Sequence, residues 1–312
     1  MKQLQDYKEN TQGESFLLIE QANVKEDKRG RSFIALVLAD KTGQIDAKIW
    51  NATEEDIAQF VRGKVVYIEG RKEMFQGRPQ MRLLKMRLAT QEEPNDPKIY
   101  QFNEEIEIDK LQQTITSYIS QIKNSVWQSI VKSIVHKYEE QFYTYPAAKF
   151  HHHAFPSGLA IHTIGMLDLA QAMSKLYPQL NTELLYAGII LHDLGKVLEL
   201  SGPEDTYYTL QGNLCGHIVL MDEEITLAAE RLGFAQNDEN VLFLKHVILA
   251  HHGKTEYGSP VVPRLLEAEV LNYIDQFDAN LQMLTKALKQ TQVGEYTLPI
   301  IGLDNRQFYK YR

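Results

Sequence analysis

The spacing of apolar residues changes once along this 312-residue chain, at about residues 91–108, and that change limits the fold more than any other feature. Before it, apolar residues form short runs or alternate with polar ones, as in Gln44–Trp50, which is typical of strands. After it, they recur every three or four residues, as in Ile115, Ile119 and Ile122, which is typical of helices. Asn181 and Asn237 are expected to cap two of these helices at their N-termini. The sequence therefore predicts a multidomain protein in which a small all-β part precedes an all-α part.

The first part contains five predicted strands, at about 15–22, 32–39, 44–50, 64–75 and 80–89. Thr53 and the acidic residues after it begin a short predicted helix between the third and fourth strands. Five strands with a helix in that place are the order of an OB-fold barrel. We expect this domain to cover residues 1–90, a linker with two prolines to cover 91–108, and an all-α domain with a C-terminal tail to cover 109–312.

Barrels of this type bind single-stranded nucleic acid by stacking bases on aromatic rings and by pairing phosphates with cations. Residues 1–90 hold 16 Lys and Arg against 13 Asp and Glu, although the whole chain has a net charge of −8. The candidate contacts to nucleic acid are Phe33, Lys48, Trp50, Arg71, Phe75, Arg78 and Arg82. The alternative is that Phe33 belongs to the core and that the arginines are ordinary solvated side chains.

Three features bear on the cellular environment. The chain has no run of about 18 apolar residues, so we expect no transmembrane helix. Its first residues lack the apolar stretch of a secretory signal. Its single cysteine, Cys215, excludes an internal disulfide and fits a reducing compartment. We therefore expect a cytoplasmic protein without a membrane partner.

All ten histidines lie between His136 and His252, inside the predicted helical part. Several of them, with two aspartates, interrupt apolar helical segments, where burial is costly unless a polar group is paired or bound to metal. Each one alone is explained as a core histidine with a hydrogen bond, but together they predict a metal site. Imidazole and carboxylate ligands suit Mn²⁺, Fe²⁺, Co²⁺ or Zn²⁺. The set is His162, His192, Asp193, His217, His251, His252 and Asp275.

The order His162, His192-Asp193 and Asp275, with Gly195-Lys196 after the His-Asp pair, resembles the HD-domain metal-dependent phosphohydrolases. The additional His217, His251 and His252 resemble the binuclear members of that group. A predicted OB-fold ahead of such a domain is similar to the YhaM family of 3′–5′ exoribonucleases. The same holds for the segments His152-His153-Ala154, Gly216-His217-Ile218 and His251-His252-Gly253-Lys254.

The resemblance implies that one ion is held by His162, His192, Asp193 and Asp275. Asp193 would bridge to a second ion, held by His217 and by His251, His252 or both. Two ions about 3.5–4 Å apart stabilise the attacking and leaving oxygens of a phosphodiester and generate hydroxide near neutral pH. Adjacent residues serve different ions only where a helix opens, and Gly195 is expected to supply that opening.

Three further residues complete the predicted site. Lys196 is expected to balance phosphate charge, the alternative being a cation that favours a helix dipole. His153 is a candidate to contact the phosphate or to protonate the leaving oxygen, the alternative being that His151-His152-His153 is a polar loop. Asp278, one turn beyond Asp275, is a candidate to support a ligand.

The leading hypothesis is a metal-dependent 3′–5′ exoribonuclease that hydrolyses single-stranded RNA with a two-metal-activated hydroxide. Asp193, Lys196 and His153 are its candidate catalytic residues. Single-stranded DNA is a second candidate substrate, Mn²⁺ is the foremost ion before Fe²⁺, Co²⁺ or Mg²⁺, and a homo-oligomer is left open. The alternatives are an HD-type nucleotide or cyclic-nucleotide phosphohydrolase and a non-catalytic factor that binds single strands.

Overall fold

The computed structural model describes residues 1–27, 29–75, 78–100, 107–148, 155–203 and 206–312, except for the side chains of Arg78 and Lys98. The chain forms two compact units. One unit contains residues 1–105, 287–299 and 307–312, and the other contains residues 106–286 and 300–306. The boundaries expected at residues 90 and 109 stay predictions.

The first unit contains a closed five-stranded barrel in the order β1-β2-β3-β5-β4. Its strands are β1 (Gln12–Glu26), β2 (Ser32–Asp40), β3 (Gly43–Trp50), β4 (Val65–Phe75) and β5 (Arg78–Leu88), and helix α1 (Glu54–Gln59) separates β3 from β4. The barrel closes through a short parallel pairing of β3 with β5 and an antiparallel pairing of β1 with β4. The predicted OB-fold is therefore confirmed.

Strand β1 is longer than its sequence pattern indicated, because it pairs with β2 and with β4 along different parts of its length. A register shift between Ile19 and Gln21 lets it bend between the two partners. Alternate residues of the strands, among them Leu17, Leu36 and Ile68, fill the barrel interior. The side chains between them along each strand face outward.

The second unit is helical, as the apolar spacing predicted. Its helices are α2 (Ile108–Gln121), α3 (Ser125–Lys137), α4 (Glu139–Thr144), α5 (Gly158–Leu176), α6 (Thr182–His192), α7 (Lys196–Glu199), α8 (Leu210–Arg231), α9 (Glu239–Ala250) and α10 (Leu266–Lys289). Asn181 caps α6 by accepting a hydrogen bond from the Leu184 amide, as the sequence indicated. Asn237 was the expected cap of α9, but Asp238 caps it by accepting from the Asn240 amide.

Helix α6 is the centre of the helical core. From Leu184 to His192 each of its residues is buried, and a helix that is apolar on all sides has to be enclosed by others. Its C-terminal end therefore delivers His192 and Asp193 into the interior. Among the described residues no helix combines the length and apolar character needed to cross a membrane.

Candidate metal centre and nucleic-acid interface

The predicted ligands come from five separate helices and meet in the interior of the helical unit. His162 lies on α5, His217 on α8 and Asp275 on α10, whereas His192 ends α6 and is followed directly by Asp193. His251 and His252 follow the last residue of α9. His162, His192 and His251 are completely buried, Asp193 and His217 are nearly so, and His252 is half-buried. Polar side chains are rarely buried this densely without a shared partner.

Each imidazole is oriented by a hydrogen bond at Nδ1. The Nδ1 atoms of His192 and His251 lie 2.7 Å from the carbonyl oxygens of Ile189 and Ile248, each three residues earlier. The Nδ1 atom of His252 lies 2.9 Å from the carbonyl oxygen of Tyr257. A carbonyl oxygen only accepts, so Nδ1 carries the proton in all three rings and Nε2 keeps its lone pair. An Nε2 lone pair on a fixed ring is the usual metal ligand.

Two further imidazoles are oriented by carboxylates. The Nδ1 atom of His162 lies 2.7 Å from Oδ2 of Asp278, so this aspartate orients a histidine of the cluster. The Nδ1 atom of His217 lies 3.2 Å from Oε1 of Glu199. Carboxylate partners of this kind fix the ring and increase the basicity of the nitrogen that binds metal.

The Nε2 atoms converge on the carboxylate of Asp193, and its two oxygens face different histidines. Oδ2 lies 3.4 Å from Nε2 of His192 and 3.8 Å from Nε2 of His162. Oδ1 lies 3.5 Å from Nε2 of His217 and 4.0 Å from Nε2 of His251. Asp275 adds an oxygen 3.2 Å from Nε2 of His162. The carboxylate of Asp193 thus lies between two pairs of imidazoles, one facing each of its oxygens.

The donor set fits divalent metal. The Nε2 atoms of His192, His217 and His251 are buried, and none of them makes a hydrogen bond within the described residues. The cluster contains two groups of potential ligand atoms, and within each group all the atoms lie within 4.8 Å of one another. One group comes from His162, His192 and Asp193, and the other comes from His217, His251 and His252. Unpaired buried lone pairs are costly unless a cation occupies the space between them. The cluster and its HD-type arrangement therefore indicate divalent metal binding.

The ionisation states in the cluster also favour a cation. Burial alone would raise the pKa of Asp193, but the Lys196 ammonium and the neighbouring imidazoles hold that pKa well below its usual range. Burial and the adjacent His252 ring lower the pKa of His251, which keeps this imidazole neutral. Burial would lower the pKa of His162, yet hydrogen bonds with Asp275 and Asp278 outweigh it and raise the pKa to about 9. A metal ion bound at His162 would therefore have to displace a proton, as metal binding commonly does.

Lys196 is the first residue of α7, and its ammonium lies 2.6 Å from Oδ2 of Asp193. The ammonium thus adds positive charge beside the cluster through its contact with Asp193, and not through the Nε2 atoms of the histidines. Gly195 has helical backbone angles. A Cβ atom there would lie 2.2 Å from the carbonyl oxygen of His217, so the glycine allows close approach of α8. The sequence predicted that Gly195 would end the helix after His192 and Asp193. Gly195 is not the cause, because α6 already ends at His192. The glycine instead allows two backbones to lie close together.

The remaining predicted positions divide clearly. His153 lies outside the described residues. His246 does not join the cluster, because its Nε2 accepts a hydrogen bond from the Arg264 amide at 2.8 Å. Sequence reasoning missed Glu199, which follows three ordinary helix residues and reaches His217 only through the packing of α7 on α8. It also missed Asn272, whose side-chain amide donates to the carbonyl oxygen of His251 at 2.8 Å.

On the barrel, three aromatic rings surround one lysine. The ring centroids of Phe33 and Trp50 are 4.9 Å apart, and the two residues face each other on β2 and β3. Nζ of Lys48 lies 5.2 Å from the Trp50 ring centroid and 5.4 Å from that of Phe75. Trp50 and Phe75 are 57% and 53% exposed, and Phe33 is half-buried and not part of the core. Exposed rings beside a cation are the elements of a single-strand stacking platform.

Two predicted arginines continue this surface. Arg71 and Phe75 are four residues apart on β4 and share a face, and Arg82 is the cross-strand partner of Arg71. Both guanidinium groups lie near Glu73, at 3.9 Å for Arg71 and 3.6 Å for Arg82, and both side chains are largely exposed. Arg78 is in β5, but its side chain lies outside the described residues. The described members therefore place exposed aromatic rings and guanidinium groups on the outside of the barrel.

Comparison with known proteins supports both units. Residues 159–280 match the HD domain family, and residues 20–89 match the family described as OB-fold nucleic acid binding domain. The barrel of this chain thus belongs to a class of nucleic-acid-binding domains.

Some relatives match this chain over nearly its whole length. The chain is 44% identical over 308 residues to the 3′–5′ exoribonuclease YhaM of Listeria welshimeri, covering 99% of this chain and 98% of the relative. It is also 44% identical, with the same coverage, to the 3′–5′ exoribonuclease YhaM of Listeria innocua. Among solved structures, the second OB-fold domain of replication protein A from Methanococcus maripaludis matches 29% of this chain and 95% of its own. The sequence identity is 17% and the TM-score is 0.24.

Proposed function

Because this chain belongs to the YhaM family of 3′–5′ exoribonucleases, we propose that it shortens single-stranded RNA from the 3′ end by metal-dependent hydrolysis. The observation that carries the proposal is the position of Asp193. Its two carboxylate oxygens each face a different pair of buried imidazole nitrogens. This arrangement supports a centre for two divalent ions, for which we propose Mn²⁺ as the foremost occupant.

We propose that His162, His192, Asp193 and Asp275 hold one ion and that His217, His251 and His252 hold the other, with Asp193 bridging them. When bound, two such ions supply positive charge to both the attacking and leaving oxygens of a phosphodiester and lower the pKa of water to near neutrality. The protein contributes fixed geometry. The hydrogen bonds at Nδ1 hold each ring in place, so little reorganisation is needed during the reaction.

Lys196 has a separate role in this proposal. Its ammonium keeps Asp193 ionised, because the two groups are only 2.6 Å apart in a buried setting. The same ammonium adds positive charge next to the position that a substrate phosphate would take. The proposal that His153 protonates the leaving oxygen concerns a residue outside the described part of the chain.

The barrel supplies strand binding in this account. We propose that bases stack on the platform formed by Phe33, Trp50 and Phe75, with Lys48, Arg71 and Arg82 pairing with the phosphates. Single-stranded DNA is a second candidate ligand, since stacking on an aromatic ring does not depend on the 2′-hydroxyl. We further propose a cytoplasmic location, a homo-oligomer, and domain boundaries at residues 90 and 109.

The direction of cleavage is tested with one RNA labelled at either end. With the label at the 5′ end we expect a ladder of progressively shorter products. With the label at the 3′ end we expect labelled mononucleotide from the earliest time. Faster hydrolysis of mononucleotides or cyclic nucleotides than of the strand would favour a nucleotide phosphohydrolase instead. An intact strand in the presence of Mn²⁺ would favour a binding factor without activity.

Replacement of Trp50 by alanine is expected to weaken RNA binding. Loss of one stacked base costs about 1–3 kcal/mol, which corresponds to roughly a 5- to 150-fold increase in Kd. Binding is measured by anisotropy of a labelled oligonucleotide with a chelator present, so that no cleavage occurs. The matched control is Met74→Ala, an exposed apolar residue on the opposite face of β4 from Phe75. Equal Kd values for the two variants would contradict the assigned platform.

A further inference from the structure

Glu199, the last residue of α7, directs its carboxylate toward His217 on α8. Its Oε1 accepts a hydrogen bond from the His217 backbone amide at 3.2 Å and lies 3.2 Å from Nδ1 of the same residue. The two side chains are only 13% and 11% exposed. From this pair of contacts we propose that Glu199 is a positioning residue for one of the two ions, because it fixes the ring of His217. The inference rests on the two-ion function proposed above.

His217 needs an outside partner because of the backbone before it. Gly216 has φ 72° and ψ 156°, which interrupts α8 directly ahead of His217. The first amides of a helical segment lack carbonyl partners in a preceding turn. His192 and His251, in contrast, close regular helices and use the carbonyl oxygen three residues earlier for Nδ1. The Glu199 carboxylate therefore serves both as a cap for the segment that follows Gly216 and as the acceptor for the ring.

Two glycines hold Glu199 and His217 at this distance. A Cβ atom at Gly212 would lie 2.3 Å from the Glu199 carbonyl oxygen, and one at Gly195 would lie 2.2 Å from the His217 carbonyl oxygen. The backbones of the α7 region and α8 are therefore in direct contact on both sides of the pair. We call Gly195, Glu199, Gly212 and His217 the α7–α8 clasp. Because closely packed backbones cannot slide freely, the clasp fixes where the Nε2 atom of His217 lies.

The chemistry of the Glu199 side chain strengthens this effect, because a carboxylate acceptor on Nδ1 makes Nε2 a better electron donor to a metal. The cluster contains a second case, since Asp278 binds Nδ1 of His162 at 2.7 Å. One carboxylate thus supports a ligand in each of the two proposed ion positions.

The test measures Mn²⁺ binding to the full chain by calorimetry and by electron paramagnetic resonance, which detects coupling between two neighbouring Mn²⁺ ions. We expect Glu199→Gln to weaken the affinity for one ion about 10- to 100-fold, the usual effect of losing such a partner. The affinity for the other ion should change by less than about twofold. The resonance signal of two coupled ions should appear only at a higher Mn²⁺ concentration. Glu199→Ala, which removes the acceptor entirely, should have the larger effect. Asp278→Asn is the matched control and should weaken the affinity for the other ion.

Double variants identify the ion concerned. In a His217→Ala background, Glu199→Gln should not alter the affinity for the remaining ion. In an Asp278→Asn background, Glu199→Gln should still weaken the affinity for its own ion by the full factor. Unchanged binding in folded Glu199→Gln would overturn the inference, as would equal weakening of both ions or an added effect in His217→Ala. Wild-type protein that binds fewer than two ions would overturn the proposed function as well. If the wild-type protein binds two ions and the Glu199 variants bind both with unaltered affinity, only the role of Glu199 would be overturned.

Discussion

Replacement of Asp193 by asparagine is expected to reduce RNA hydrolysis by about 10³-fold or more. Loss of a single preorganised electrostatic group costs about 10²–10³-fold in rate, and Asp193 stands between two proposed ions. Asparagine has nearly the same shape but lacks the charge to bridge two cations and to pair with Lys196. Initial rates on a 5′-labelled oligonucleotide measure the loss, and circular dichroism measures whether the variant is folded.

The controls separate catalysis from strand capture. With a chelator present, Asp193→Asn should bind the oligonucleotide as tightly as the wild type, because we assign binding to the barrel. Asp222→Asn is the matched variant, since Asp222 also pairs with a lysine, Lys245 at 3.3 Å, but lies outside the cluster. It should retain activity. A folded Asp193→Asn protein that still degrades RNA at the wild-type rate would rule out the proposed centre.

Removal of divalent metal is expected to abolish hydrolysis and to lower the melting temperature. Ions present at about 100 times their Kd stabilise a native protein by about 2.7 kcal/mol per site. For a unit of this size, each kcal/mol shifts Tm by about 2–4 °C, so chelation should lower Tm by about 5–10 °C for each ion removed. The physical cause is that the unpaired Nε2 atoms and the buried carboxylates lose their cations. Differential scanning calorimetry with and without a chelator measures the shift.

The same measurement on Asp193→Asn provides the comparison. This variant has a weakened site, so chelation should change its Tm much less than that of the wild type. An equal shift in both proteins would mean that metal stabilises the chain at a different place. Full activity in excess chelator would contradict a metal-dependent mechanism.

The fold could be predicted from local sequence patterns to a large extent. Alternation in Gln44–Trp50 and three-and-four spacing in Ile115, Ile119 and Ile122 depend only on which face of an element is buried, which the sequence displays directly. The cap of α9 was misplaced by one residue because Asn237 and Asp238 have similar capping chemistry. The length of β1 was underestimated because its pairing with two strands is a tertiary property.

The residues of the His/Asp cluster were predictable for a different reason. Histidine and aspartate in apolar helices are conspicuous, since their burial requires a partner. Which imidazole faces which oxygen of Asp193 depends on the packing of five helices, and no residue spacing reports it. Glu199 and the close contacts at Gly195 and Gly212 were hidden for the same reason, because they exist only where α7 meets α8.

The most direct test of the two-ion centre is a titration of the chelated protein with Mn²⁺, in which bound metal and RNA hydrolysis are measured on the same sample. We predict two ions per chain, with hydrolysis rising only as the second ion binds, because Asp193 must hold both ions for the reaction. Wild-type activity with one ion per chain, or two bound ions that have no effect on hydrolysis, would contradict this account.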